Sequence, residues 1–339
     1  MRSLTIITFV LLVTLEVKAQ HTFSIVAVDP VTGQIGSAGA SCIDASSGIP
    51  EGVAIISGII PGHGAINAQA TICIPHNNLL VGLNHMSNGL APQEILDTLF
   101  KADACIFGDK HTRQYGIVDL DSLGAPRSAA FTGNNAMSYK GHLSGSNYAI
   151  QGNILLGPEV LDSMESRFIR AKGGLAYQLM AALQGANIPG ADSRCLAEGV
   201  SSLSSYIKVS KPDDHPDSLW IDLIVNETPF AKEPIDSLQV LFDNLDVPFD
   251  SSNTTAVYSI PGNTIANVFP NPSNSRLVFQ INKAAYMNLR LEIFNSVGIR
   301  VMTENILGDT EIELNKTGIY LYMIRSEYEI IQAGKVLIN

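Results

Sequence analysis

Apolar residues recur at every second position in some stretches of this chain and at helical spacing in others, and the order of those stretches restricts the fold more than any single motif does. Thr22–Asp29 (TFSIVAVD) and Gln34–Ser41 (QIGSAGAS) flank the turn Pro30-Val31-Thr32-Gly33 and predict a hairpin. Gly52–Ser57 and Ala65–Thr71 predict two further strands. Asn77–His85 and Pro92–Lys101 predict helices, the second with proline in its first turn and Ile95, Leu96 and Leu99 on one face. Strand character returns at Gln114–Asp119, Arg127–Phe131 and Tyr148–Gly152, followed by helices at Pro158–Ile169 and Leu175–Leu183. Ser202–Val209 and Leu219–Asn226 predict strands, and Asp236–Asn244 a last helix. Strands and helices that come in groups favour an α+β layered fold, with sheets covered by paired helices, over a doubly wound parallel sheet. Asn267–Ile281, Asn288–Asn295, Ile299–Glu304, Thr310–Leu314, Ile319–Arg325 and Ala333–Ile338 are short alternating runs with no helix between them, which predicts a small all-β sandwich.

Charge marks the same division. The 339 residues carry 21 basic and 32 acidic side chains, a formal charge of −11. From Gly262 to Asn339 the two signs balance, so the acidic excess lies in the first part. Such a surface repels a polyanion at long range, which removes nucleic acid from the expected partners. Residues 248–262 (PFDSSNTTAVYSIPG), rich in Ser, Thr, Asn and Pro, read as a linker between a domain at 20–247 and another at 263–339.

Residues 1–19 read as a secretory signal. Met1 and Arg2 give a basic start, Leu4 to Leu15 is apolar, and Val17-Lys18-Ala19 sets small residues at the −3 and −1 positions of a cleavage after Ala19. An apolar run of this length spans about 18 Å as a helix, too short for a hydrocarbon core of about 30 Å, and no transmembrane helix is expected in the mature chain. Export brings an oxidising compartment, in which Cys42, Cys73, Cys105 and Cys195 are expected as disulfides. Of the three pairings open to four cysteines, Cys42 with Cys195 and Cys73 with Cys105 is preferred.

Familiar catalytic signatures are missing. There is no C-x-x-C pair and no H-E-x-x-H, so no metal site is expected, and no G-x-x-x-x-G-K-[ST] loop. Gly62-His63-Gly64 lacks the third glycine of a dinucleotide loop, and Gly141–Gly145 has its serine one place too late for a nucleophile elbow. No organic cofactor is expected. Thr22 is the unusual residue, close behind the cleavage point at the head of the first strand. A threonine at a mature N-terminus supplies a hydroxyl nucleophile and, in its own α-amine, the base that takes the proton. An α-amine with an ordinary pKa of about 7.7 to 8.0 is partly neutral near pH 7. The plain alternative is a β-branched residue that starts a strand.

TFSIVAVDPVTGQIGSAGAS (22–41), GAINAQA (64–70), RQYGIVD (113–119), AAFTG (129–133) and KGHLSGSNYAIQGNILLGPEV (140–160) occur in an order that closely resembles the domain-of-unknown-function 1028 family. That resemblance covers roughly residues 22–225. It implies the four-layer α-β-β-α sandwich of the N-terminal nucleophile hydrolases, and a secreted amide hydrolase for peptide or peptidoglycan-type bonds. Cleavage after Ala19 departs from the family pattern, because it leaves Gln20 and His21 ahead of Thr22 and its nitrogen in a peptide bond. A non-catalytic surface or binding protein on the same scaffold is therefore kept as the alternative. In the hydrolase reading Thr22 is the nucleophile and Asn67 and Asn153 are donors to the oxyanion. Gln69, Gln151 and His142 are further candidates to contact substrate; their plain alternatives are paired strand-end amides and a loop histidine. Asp192 and Arg194, in GADSRC, read as a structural ion pair or as a means of binding a substrate carboxylate.

The tail has a resemblance of its own. Phe269-Pro270-Asn271-Pro272, Gly298, Thr317-Gly318-Ile319-Tyr320 and Gly334-Lys335-Val336-Leu337-Ile338 resemble a type A C-terminal sorting domain of the type IX secretion system. It implies a Gram-negative source of the Bacteroidota kind, passage through the periplasm, and the outer-membrane translocon as partner. It also implies removal of the tail with release or lipid attachment, and thus a secreted or outer-membrane-surface protein. Association into a homo-oligomer is left open.

Overall fold

A computed structural model describes residues 18–20, 22–105, 108–249, 266–281, 289–295, 300–306, 308–325 and 330–338. The expected signal up to Val17 and the expected linker from residue 250 lie outside the described residues. Lys18–Gln20 forms a short strand, β1. Thr22–Asp29 (β2) and Gln34–Ser41 (β3) make the predicted hairpin, in register from Thr22 opposite Ser41 to Asp29 opposite Gln34. Its turn is closed by the Asp29 carboxylate, which accepts from the Val31 N–H at 2.9 Å and the Thr32 hydroxyl at 2.8 Å.

Gly52–Ile56 departs from expectation and winds as a 3-10 helix. Val53, Ala54 and Ile56 pack together against Tyr206, and the Val53 N–H donates to Ser204 Oγ, so the segment buries one side of a helical turn. The strand starts after it, at Ser57–Ile60 (β4), and pairs with Gly64–Ile72 (β5). Helices α1 (Asn77–Ser87) and α2 (Pro92–Lys101) follow. Pro92 opens α2 where its missing N–H costs nothing, and the Glu94 carboxylate accepts from the Ala91 N–H at 2.8 Å.

Arg113–Leu120 (β6), Pro126–Thr132 (β7), Lys140–Ser144 (β8) and Tyr148–Asn153 (β9) come next. β8 was not expected; its residues, KGHLS, lie at a sheet edge, are half-buried throughout and carry no apolar alternation. Then come α3 (Glu159–Arg170), α4 (Leu175–Gly185), β10 (Ser204–Ser210), β11 (Ile221–Val225) and α5 (Pro234–Asp243).

The strands form two antiparallel sheets. One is ordered β1–β5–β6–β7 with β4 also on β5; the other is β11–β10–β3–β2–β9–β8. Alternation along each strand sends its side chains to opposite faces. Phe23, Ile25 and Ala27 of β2 join Leu179, Met180 and Leu183 of α4 and Val160, Met164 and Phe168 of α3 in one core. Ile66 and Ala68 of β5 and Ile117 of β6 meet Leu79 and Met86 of α1 and Ile95, Leu96 and Leu99 of α2 in another. The remaining faces meet each other, with Val26, Val28, Ile35, Ala65, Val118 and Ala149 as their apolar part.

The disulfides join Cys42 to Cys195 and Cys73 to Cys105. The tail is all β: β12 (Ala266–Phe269), β13 (Arg276–Ile281), β14 (Leu289–Asn295), β15 (Arg300–Ile306), β16 (Thr310–Glu313), β17 (Gly318–Arg325) and β18 (Ile330–Ile338). Sheets β12–β13–β16 and β15–β14–β17–β18 share a core that includes Leu277, Phe279, Leu291, Ile293 and Ile324.

Tail and α3 meet through charge. Arg325 lies between Glu165 (Nη2 to Oε1, 3.3 Å) and Glu292 (Nη1 to Oε2, 3.5 Å), and Arg300 reaches Asp162 at 2.8 Å and Glu292 at 3.1 Å. Glu165 is buried, also accepts from the Tyr148 hydroxyl at 2.8 Å, and has its pKa pushed up by that burial against the pull of Arg325. Removing one member of a buried charged group strands the others. Arg325→Ala should therefore lower the urea midpoint of the transition that frees the tail, with a loss of about 3 to 5 kcal/mol; an unchanged midpoint would show that the tail is held by other contacts.

Candidate functional site

Thr22, Ser24, Val26 and Val28 occupy one face of β2, the face turned to the other sheet, and the polarity of the gap between the sheets changes along them. Around Val26 and Val28 it is aliphatic. Around Thr22 and Ser24 it is made of amides and hydroxyls, with Thr22, Ser24, Asn67, Gln69, Gln114, Gln151 and Asn153 all buried.

Two cross-strand rows face each other there. In one sheet Gln69, Gln114 and Thr132 stand side by side on β5, β6 and β7; in the other Ser24, Gln151 and His142 stand side by side on β2, β9 and β8. Ser24 Oγ donates to Gln69 Oε1 at 2.6 Å and accepts from Gln151 Nε2 at 2.6 Å. Gln69 Nε2 donates to Gln114 Oε1 at 2.8 Å and to the Thr22 carbonyl at 3.0 Å. Gln114 Nε2 donates to Thr132 Oγ1 at 2.9 Å and to the Gly152 carbonyl at 2.8 Å. Thr132 Oγ1 in turn lies 2.9 Å from His142 Nδ1. Burial pulls the His142 pKa down, which favours the neutral ring beside Thr132.

Thr22 stands at the end of these rows. Its N–H donates to Asn153 Oδ1 at 3.3 Å and its carbonyl is held by Gln69, whereas its hydroxyl, fully buried, has no hydrogen-bond partner among the described residues. Ser41 is its cross-strand partner on β3. Beside Ser41 lies the loop of Asp192 and Arg194. The buried Asp192 carboxylate accepts from Arg194 Nε at 2.9 Å and Nη2 at 2.6 Å and from the Cys42 N–H at 3.0 Å, and Arg194 Nη2 is 3.4 Å from Ser41 Oγ. The Ser193 N–H donates to the Ile154 carbonyl, which fastens the loop to the residue after Asn153. The bond between Cys42 and Cys195 fastens it again.

Of the residues expected at a site, Gln69, Gln151 and Asn153 are thus gathered around Thr22 and Ser24, with Asp192 and Arg194 alongside. Asn67 is on the same inner face but is committed elsewhere: its Oδ1 accepts from Ser37 Oγ at 2.8 Å and Tyr206 OH at 3.3 Å, and its Nδ2 donates to the Ile25 carbonyl. His142 is at the far end of its row. Ser24, Ser41, Gln114 and Thr132 escaped the reading of the sequence. Ser24 had one available signal, its place two residues from Thr22 on the same face; Gln114 becomes recognisable only once β6 is laid against β5. Among the described residues no group of three His, Cys, Asp or Glu side chains is placed to hold a metal ion.

Backbone strain sits next to this constellation. Ala70, after Gln69, has φ +74°, and Ile154, after Asn153, has φ +53°. Such angles cost a residue with a side chain about 1 to 3 kcal/mol each and persist only where the surroundings impose them. On the outer side of β5, buried His76 donates from Nε2 to the Ala68 carbonyl at 2.8 Å, while its Nδ1 has no partner among the described residues. Burial, aided by the charge of Arg113, lowers its pKa to about 4.

Two outcomes are expected. A Cβ on Gly116 would collide with Gln151 Oε1, so Gly116→Ala should destabilise by about 1 to 3 kcal/mol in urea melts, and much less in a Gln151→Ala background. Additive effects of the two changes would refute that contact. For His76, the unfolded chain takes up a proton below pH 6.5 and the folded one only below about 4, so stability falls as pH drops through that window, by up to about 3 kcal/mol. His76→Gln should flatten that part of the stability profile; an identical acid slope in both proteins would assign it to other groups.

Among solved structures, a crystal structure of a DUF1028 protein from Silicibacter pomeroyi is 23% identical, with 70% of this chain and 94% of that one covered and a TM-score of 0.50, which speaks for a shared fold. A match to domains 3 and 4 of rat CD4, 6% identical over 66% of this chain and 77% of that one, has a TM-score of 0.19 and carries no argument. No curated protein matches. Residues 267–339 match the secretion system C-terminal sorting domain, which marks the chain for the type IX machinery and for export to the medium or the cell surface. Among the described residues no helix is long and apolar enough to cross a membrane. Residues 22–238 match the family of unknown function DUF1028, and the chain belongs to that family.

Proposed function

We propose that residues 20–247 form an α-β-β-α sandwich of the N-terminal nucleophile hydrolase kind, and that Thr22, once it is the first residue, hydrolyses amide bonds of extracellular peptides or peptidoglycan fragments. The observation that carries this reading is the Thr22 hydroxyl, unpartnered among the described residues, at the polar end of the gap between two sheets, with the backbone on both sides of it fixed by Asn153 and Gln69. Asn153 Oδ1, which accepts from the peptide N–H here, would accept equally from a free amine and hold it beside the hydroxyl.

In the reaction Thr22 Oγ1 attacks the substrate carbonyl and its proton passes to the α-amine. The amide C–N bond then breaks as the departing nitrogen takes that proton. Water hydrolyses the resulting ester by the same route and restores the hydroxyl. Arg194, oriented by Asp192 beside Ser41, is the candidate to recognise a substrate carboxylate. A 263–339 sorting domain of a Bacteroidota-type protein, removed after passage through the outer membrane, completes the reading.

The alternative is a secreted surface or binding protein with no chemistry. The peptide nitrogen and complete burial of Thr22 in the chain that retains Lys18–Gln20 favour it. Sequencing the N-terminus of the exported protein separates the two: Thr22 supports the hydrolase, Gln20 the binding protein. For a chain that begins at Thr22, kcat/KM on peptide amides should rise with pH through a midpoint near the ordinary α-amine pKa of about 7.7 to 8.0 and level off above it. Thr22→Ala should lower it about a thousandfold, with part of the rate kept by Thr22→Ser. Undiminished hydrolysis by Thr22→Ala would end the proposal.

A further inference from the structure

β5 has an unusual edge. On the side away from β6 it is covered by two different strands in succession, β4 along Gly64–Asn67 and β1 along Ala70–Ile72. β1 is antiparallel to it, with Lys18 opposite Ile72, Ala19 opposite Thr71 and Gln20 opposite Ala70. These strand residues span the expected cleavage point and end two residues before Thr22. Cleavage after Ala19 takes two of the three partners away, and trimming to Thr22 takes the third.

We propose that the Ala70–Ile72 edge is a peptide-binding edge, which takes an extended polypeptide as an added antiparallel strand where Lys18–Gln20 lies in the longer chain. The inference deepens the hydrolase reading and rests on it for its catalytic consequence. A ladder of N–H and C=O groups left without a partner is a template for another strand, and main-chain pairing of this kind recognises extended peptides with little regard to sequence.

The edge is held ready. β6 pairs with β5 up to Arg113 opposite Ala70, the Arg113 guanidinium donates to the Thr71 carbonyl, and Cys73, the next residue after Ile72, is bonded to Cys105. Asp103 fixes the guanidinium in turn, accepting from Arg113 Nε at 2.8 Å. The edge also has a direction. Gln69, which holds the Thr22 carbonyl, immediately precedes Ala70, so a strand in the place of β1 runs toward Thr22. The substrate class that follows is an extended peptide whose acyl side lies along Ala70–Ile72.

Hydrogen exchange on two chains, one from Lys18 and one from Thr22, both ending at Asn339, tests this. Amides of Ala70–Ile72 should exchange at least tenfold faster in the shorter chain, and the peptide acetyl-Lys-Ala-Gln-His-amide should restore their protection. The same peptide should bind the longer chain at least tenfold more weakly, and N-methylation of its ladder nitrogens should abolish its binding to the shorter one. Equal exchange in the two chains, or binding that leaves Ala70–Ile72 unprotected, overturns the edge. A Thr22→Ala chain that binds with full protection beside a wild-type chain that hydrolyses nothing keeps the edge and removes the hydrolase. Hydrolysis of peptides without edge protection does the reverse.

Discussion

Gln69 reaches across the gap between the sheets, accepts from Ser24 and holds the Thr22 carbonyl, and this contact ties the two rows together at this end. Buried amides and hydroxyls destabilise a fold unless they are paired, and a low-dielectric interior magnifies both outcomes. The Gln69–Gln114–Thr132 row can satisfy the Ser24–Gln151–His142 row in one alignment of the sheets only. A slip of β2 by one residue would turn Phe23 and Ile25 into the gap and Ser24 into the helices. The network therefore selects a register as much as it stabilises one. Thr22 is carried into the gap because it lies two residues from Ser24.

How much of this the sequence announces depends on range. The hairpin of β2 and β3 is local, and its alternation and its Pro30–Gly33 turn announce it. Most helices are announced by their apolar stripes, and α2 also by Pro92; α5 begins at Pro234, two residues before its expected start. Gly52–Ile56 was misread because five small and β-branched residues in a row suit a strand as well as a tight helix, and the deciding contact, Tyr206, is far away in the chain. β8 was missed because an edge strand with one covered face needs little apolar alternation. The same limit governs the site. Gln69, Gln151 and Asn153 could be named because they lie on strands with an evident inner face. Gln114 gains its meaning from Gln69 opposite, and Arg194 from Ser41, and neither neighbourhood is written in its own stretch of sequence. Asn67 shows the opposite error, since a buried amide on the right face is committed to Ser37 and Tyr206.

The tail is joined to the first part by another kind of contact. α3 presents Val160, Met164 and Phe168 to the core, and Asp162 and Glu165 to the tail. Arg300 and Arg325 arrive from sheet strands that carry Glu292 between them. Buried ion pairs add little net stability compared with apolar contacts of the same size, but they penalise misplacement heavily. A balanced tail against an acidic first part thus gains its specificity of docking from two arginines, not from overall charge.

Thr22 finally depends on constraints imposed from both sides. Ala70 and Ile154, the two strained residues next to its partners, lie close to covalent ties: Cys73 to Cys105 beyond Ala70, and Cys42 to Cys195 at the loop that Ser193 fastens to Ile154. Strain of about 1 to 3 kcal/mol per residue would relax if the neighbouring segments were free to shift. A disulfide limits how far the segments it joins can move apart, and it stabilises the fold as a whole by about 2 to 5 kcal/mol, chiefly by restricting the unfolded chain. Such bonds last in an oxidising compartment and are reduced in a cytoplasm. The sorting tail that takes the chain out of the cell therefore also takes it to the conditions in which the backbone around Thr22 can keep its shape.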